Sequence, residues 1–209
     1  MGWRVLLTVV VTLTTSGRTI AGEPRSITQA DNVFAIYADN WGLGSSGSTK
    51  LIFCAWDDGH VVWSSDRIEG GPPYRMAILR PSDVIATLDR MDRAGIFDIP
   101  RLNGGEVVVD SSFTTILVRR NGKQLKMQSS HELYEAHGST MHLEGVGSGR
   151  EPRKRLQLLA DKSADYLHYR MTWLELRLAA AGLVSANGSE STGSPKMRHG
   201  VLSWQPVDN

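Results

Sequence analysis

Leu51-Ile52-Phe53-Cys54-Ala55-Trp56-Asp57-Asp58-Gly59-His60-Val61-Val62-Trp63-Ser64 is the stretch that decides how this chain folds. Two apolar runs flank an Asp-Gly pair. Glycine tolerates the positive φ of a tight turn, so Asp-Gly between β-forming runs reads as a hairpin. The first run is apolar at every position, as expected of a strand buried on both sides. A two-residue turn at Asp58-Gly59 sets Asp57 opposite His60, Trp56 opposite Val61 and Cys54 opposite Trp63. On that register one face carries both tryptophans and the cysteine.

Downstream, Gly70-Gly71-Pro72-Pro73 is a rigid loop, and Arg75 to Arg80 alternates well enough for a third strand. Ser82 is expected to cap a helix, with Asp83 suited to the positive end of its dipole. Val84, Ile85, Leu88 and Met91 then share one helical face. Arg93 favours the helix end, Gly95 suits the left-handed residue after it, and Ile96 supplies the following apolar contact. Phe113 to Arg120, Asn121-Gly122 and Lys123 to Gln128 form a second hairpin, its last strand alternating as a half-buried strand should. The expected fold is α+β: an antiparallel sheet of two hairpins plus a third strand, one helix packed on it, and a C-terminal helical extension.

The remaining segments are arranged around that core. Residues 22–50 read as a polar leader and a Gly/Ser loop, with Val33 to Ala38 a short apolar segment, strand or helical turn. The core domain is placed at 51–135, the helical extension at 136–183 and a disordered tail at 184–209. Residues 152–181 have helical periodicity, as one helix or two. Leu156, Leu159, Ala160, Leu167, Met171, Leu174, Leu178 and Ala181 make an apolar stripe opposite Asp161, Asp165, His168, Thr172 and Glu175.

The first residues set the expected address. Arg4, then the apolar run Val5 to Thr15, then the small residues Ser16 to Gly22 have the order of a secretory signal peptide over residues 1–21. The run is 11 residues long, whereas a spanning helix needs about 20 apolar residues, so no permanent anchor is expected. Cleavage after Ala21 would remove Arg4 and Arg18, leaving 21 basic residues against 22 acidic ones. With no basic excess there is no electrostatic footprint for nucleic acid. Hydrophobic content of 41% suits a folded chain. Cys54 is the single cysteine, so an exported chain has no internal disulfide, and a buried, inert thiol is expected.

Candidate sites are few. Gly42 to Lys50 resembles a phosphate loop but lacks its spacing, and a strand follows it instead of a helix. Gly145-Val146-Gly147-Ser148-Gly149 lacks the βαβ setting of a dinucleotide site. His131 and Glu135 would share a helical face, and His137 or His142 could complete a three-ligand site for a divalent metal, although the spacing is not HExxH. Asp57 facing His60 could orient an imidazole. Trp56, Trp63, Asp66, Arg67 and Tyr74, beside the Gly-Gly-Pro-Pro loop, are the candidate binding residues. Arg150, Arg153, Lys154 and Arg155 oppose the dipole of a helix starting there, which moves the expected start towards Asp161.

Phe53 to Ser64, Gly70-Gly71-Pro72-Pro73-Tyr74, Gly95-Ile96-Phe97-Asp98, Phe113 to Arg119 and Met127 to Leu133 together resemble an uncharacterised family of exported bacterial proteins of the planctomycete type, over residues 33–135 or so. The resemblance implies an envelope or secreted location and supplies no catalytic residue. The expectation is therefore an exported, periplasmic or secreted, non-catalytic binding module whose partner is a protein or envelope component, not nucleic acid. A metal-dependent hydrolase built on His131, Glu135 and His137 is the alternative. A subunit assembled through the long helix is a third reading.

Overall fold

In the computed structural model, which describes residues 23–40, 49–99, 112–129, 164–184 and 188–207, the Gly59 hairpin lies inside a seven-stranded antiparallel sheet. Its strands are β2 (Val33–Asn40), β3 (Thr49–Trp56), β4 (His60–Ser64), β5 (Tyr74–Ile78), β6 (Ser112–Arg120), β7 (Lys123–Ser129) and β8 (Ser189–Ser191), in the spatial order β7-β6-β2-β3-β4-β5-β8. A second sheet joins β1 (Arg25–Ser26), β10 (Val201–Pro206) and β9 (Gly193–Arg198). Two α-helices, α1 (Pro81–Arg93) and α2 (Ala164–Leu183), and a short 3-10 helix, Ile96–Asp98, complete the described elements. The fold is α+β and dominated by antiparallel sheet.

The central sheet separates two apolar cores. Phe34, Ile36, Phe53, Ala55, Val61, Trp63, Ile116, Val118, Leu125 and Met127 face α1 and α2. Val33, Ala35, Tyr37, Leu51, Cys54, Trp56, Val62, Tyr74 and Leu117 face Ile27, Leu202 and Trp204 of the small sheet and its approach. Residues 33–38 of β2 and 51–56 of β3 are apolar without a break because both faces are covered there. An irregularity opposite Ile36/Tyr37, which pair with Phe53 and Leu51, leaves Ile52 as the extra residue of a bulge. It joins Phe53 on the helix side.

The first hairpin exists but is shifted by one residue. Ala55 pairs with Val61, Cys54 with Val62 and Phe53 with Trp63. Three residues, Asp57 to Gly59, therefore make the turn, closed by the Gly59 N–H donating to the Trp56 carbonyl at 3.0 Å. Gly59 has φ of 91°, the left-handed conformation that ends a three-residue hairpin loop. A one-residue shift moves every side chain of one strand to the opposite face relative to its partner. Trp63 thus packs under the helices and Trp56 under the small sheet, and the expected face with two tryptophans does not form.

The second hairpin has the expected two-residue turn: Arg120 pairs with Lys123, and Asn121 and Gly122 have φ of 50° and 77°. Helix α1 begins two residues earlier than a cap at Ser82 implies. Pro81 opens it after Arg80, whose guanidinium binds the Asp83 carboxylate. Proline loses nothing there, since the first helical N–H has no partner within the helix. Gly95 is left-handed after the helix end and Ile96 is buried, as expected.

Three expectations outside the core are corrected. Of the two readings of Val33 to Ala38 the strand is the one observed, but it belongs to the sheet, between β3 and β6, and not to a leader, and Ile27, further upstream, is wholly buried. Residues 188–207 are not a disordered tail: they form β8, β9 and β10, with Trp204 1% exposed. The helical extension is not peripheral, because Tyr169, Trp173, Leu176, Ala180 and Leu183 of α2 lie in the same core as Val84, Leu88 and Met91 of α1. The apolar stripe faces outward: Met171, Leu174 and Leu178 are 57%, 38% and 72% exposed. The helix has apolar side chains on two sides, and the aromatic side, with more area to bury, takes the sheet.

Candidate functional site

The densest polar cluster among the described residues sits at the turn of the first hairpin. Asp58 extends from the turn and forms an ion pair with Arg25 of β1. It also accepts the backbone N–H of His60 at 3.1 Å. The His60 ring places Nδ1 3.1 Å from the same carboxylate and Nε2 3.4 Å from the Arg25 guanidinium. Arg25 lies over the Trp56 ring, 5.9 Å from its centroid. The Trp56 indole N–H donates to the Ser26 carbonyl at 2.8 Å.

Burial pushes the Asp58 carboxyl up. The Arg25 guanidinium, the His60 N–H and their charges outweigh it and hold the group below 3.8. Beside this cluster Asn32 donates to Asp57 at 2.8 Å, and Arg120 reaches both Asn32 and Asp89.

This geometry clamps a strand. An imidazole in acid–base work needs one ring nitrogen held by a carboxylate and the other free to meet substrate. Here the second nitrogen meets a guanidinium. The expected Asp57–His60 pair is replaced by Asp58–His60, because the longer turn moves Asp57 towards Asn32. Sequence reasoning missed Arg25 and Asn32, which lie 33 and 25 residues from their partners, with no local pattern to mark them.

The other candidates separate. Trp56 and Trp63 are 4% and 3% exposed and on opposite faces of the sheet, and Tyr74 is 4% exposed. Tyr74 packs edge-on against Trp204 at 4.9 Å. Buried aromatics pack and do not anchor a ligand, so these three residues leave the binding set. Asp66 is exposed, and its carboxylate accepts the backbone N–H groups of Ile68 and Glu69, each at 2.9 Å. Those bonds lower its pKa and hold the loop. The Arg67 carbonyl accepts from Arg177 of α2, tying that loop to the helix. Within the loop the Pro72-Pro73 bond is cis. Cys54 is wholly buried, and burial raises its thiol well above 9.0, as expected of an inert cysteine.

His131, Glu135, His137 and His142, the Gly42 and Gly145 loops, the basic cluster 150–155 and the signal segment 1–21 lie outside the described residues. Among the described residues no three His, Cys, Asp or Glu side chains group as metal ligands, and no helix is long and apolar enough to cross a membrane.

The feature with recognition chemistry is the outer side of α2. Met171, Leu174 and Leu178 are exposed along it, with Ala181 also exposed one turn further. Single exposed apolar residues are ordinary; several in a row on one helix face are less so. Comparison with protein-family models, curated proteins and solved structures found no match.

Proposed function

We propose that this protein is an exported interaction module that engages its partner through the outer face of α2. The observation that carries the reading is the exposed row Met171, Leu174 and Leu178 on a helix whose other side is fixed to the sheet. The helix is held in place before any partner arrives, so binding there does not have to order it. The polar cluster at the hairpin turn serves to hold β1 and leaves the recognition role to α2. Export follows from the signal-like residues 1–21, and a protein or envelope component is the class of partner that an apolar helix face suits.

A photoreactive amino acid at position 178, in protein made and exported by its host, tests the proposal. A discrete adduct from position 178, absent when the same group replaces exposed Ala86 on α1, is the expected result. Absence of any adduct at 178 overturns it. Stoichiometric zinc in untagged protein, lost in His131→Ala, would overturn it in favour of the metal-dependent hydrolase.

A further inference from the structure

We infer that the cluster at the first hairpin turn is an acid-sensitive latch: a proton on His60 sets the ring against Arg25, lifts β1 from the turn and frees the edge of β10 that β1 covers. The ring geometry fixes where that proton matters. Nε2 of His60 lies 3.4 Å from a guanidinium nitrogen of Arg25. Guanidinium nitrogens donate and do not accept, so the neutral ring turns its Nε2 lone pair to Arg25 and carries its N–H on Nδ1. Nδ1 is buried and 3.1 Å from the Asp58 carboxylate, too poorly aligned for a full hydrogen bond. A proton taken up goes on Nε2. It sets N–H against N–H and cation against cation where His60 meets β1. The His60 side chain is only 22% exposed, so water does not fully screen that contact.

Asp58 does not undo this change. It belongs to the same turn as His60 and attracts the imidazolium whether β1 is docked or lifted. Arg25 repels the imidazolium only when β1 is docked. The lifted form therefore binds the proton more tightly, and a proton that prefers one form drives the molecule towards it. Docking is fullest above the range in which imidazoles titrate and weakens as pH falls through it. Asp58 stays ionised across that range, because its carboxyl is held below 3.8. One carboxylate is then shared by two cations. The neighbours on β3 and β5 bring no charge: Trp56 lies under Arg25, and Ile78 is the register partner of His60. Asp57, the other carboxylate of the turn, is held by Asn32.

Strand β1 is built to move alone. It has two residues and a single neighbouring strand, Arg25 pairing with Trp204 and Ser26 with Ser203. Besides the latch, the Trp56 indole N–H holds it through the Ser26 carbonyl. Immediately after it, Ile27 is wholly buried and its N–H is bonded to the Leu202 carbonyl. The movement is thereby confined to residues before Ile27, and the second core stays closed.

Amide hydrogen exchange of the full chain, read residue by residue by NMR at about pH 7.5 and about pH 5, is the test. Each rate is compared with that of an unstructured chain at the same pH. Protection across the β1–β10 pairing should fall about five- to tenfold at the lower pH, the effect of up to about one pH unit of linkage. Protection of β6 and β7 should not change. His60→Gln should abolish the difference. In Arg25→Met the His60 ring should titrate with a higher midpoint than in the parent chain, because Asp58 then acts on it without the guanidinium. Equal protection at the two pH values, or a fall that persists in His60→Gln, overturns the inference. Equal His60 midpoints in the parent and Arg25→Met overturn it as well, and that comparison holds even where a variant is less stable. A fall shared by β6 and β7 would place the effect of acid on the whole fold and also overturn the latch.

Discussion

Ile27 shows how far a single side chain can lie from any signal in its neighbourhood. It sits in a polar stretch, in no periodic pattern, yet it is wholly buried against the second core. Its N–H and that of Thr28 both donate to the Leu202 carbonyl, and the Leu202 N–H donates to the Thr28 hydroxyl. Its backbone hydrogen bond reaches a residue far along the chain, so sequence reading had nothing local to work with. Ile27→Ala should cost about 3 kcal/mol, measured by urea denaturation. A change below about 0.5 kcal/mol, the ordinary effect of a surface substitution, would mean the segment is not part of the core.

Asp58 gives a pH-dependent counterpart. Its folded pKa lies below 3.8, so its stabilising contribution is fully present above the ordinary carboxylate value. That contribution is lost as pH falls through the lowered one. Asp58→Asn should therefore flatten the acid limb of Tm against pH below about pH 4 and leave the neutral region little changed in slope. Cys54, by contrast, was legible: an apolar run on both faces buries its thiol, and alkylation should fail in the folded protein and succeed after unfolding.

At the level of strands and helices, the two hairpins show what a turn motif can and cannot specify. Asn121-Gly122 set the register of β6 and β7 correctly, because both residues adopt positive φ and no third residue enters the turn. Asp58-Gly59 located the other hairpin and missed its register by one. Asp57 was counted as strand, although it belongs to a three-residue loop closed between Trp56 and Gly59. That single residue decided which face each tryptophan took, and with it the fate of two candidate binding residues.

A Cβ on Gly59 would lie 2.2 Å from the Leu79 carbonyl oxygen, in a backbone conformation side chains already avoid. Gly59→Ala should cost about 2–3 kcal/mol by thermal or urea unfolding. Helix α2 was legible as a helix but not in its orientation. Its apolar stripe carried no sign of which side the sheet takes, because periodicity reports that a face is apolar and not what covers it. The true buried side is marked by Tyr169 and Trp173. The Tyr169 hydroxyl accepts the Gln128 N–H and donates to the Gln128 carbonyl on the sheet's outermost strand, β7. Tyr169→Phe removes both bonds and should lower stability by about 1–2 kcal/mol, measured by urea denaturation.

For the whole molecule, the mixed antiparallel architecture was readable from alternation and turns, while its second layer was not. The small sheet is built from a two-residue strand, β1, and from a hairpin in a segment rich in Ser, Gly and Pro. Such composition resembles a mobile tail, and only long-range pairing turns it into structure. Its packing is nonetheless close: a Cβ on Gly193 would sit 2.2 Å from the Trp204 ring. A chain ending before Gly193 should keep its helical circular dichroism, bind a hydrophobic dye and lose cooperativity on heating. Loss of all secondary structure would mean that the central sheet depends on the small one to form at all.

The pairing of β1 with β10 has a consequence for the order of events in time. Arg25 and Trp204 are register partners, yet the first is synthesised long before the second. A chain that emerges N-terminus first from the ribosome can assemble its helix-side core before residues 201–206 arrive. The opposite face, with Val33, Cys54 and Trp56, stays bare until residues 201–206 emerge and close over it. Contacts between such distant parts of a chain form slowly. The closing of the small sheet is therefore expected to be the last step of folding, and the interval before it is when this protein is most open to proteolysis and to misassembly.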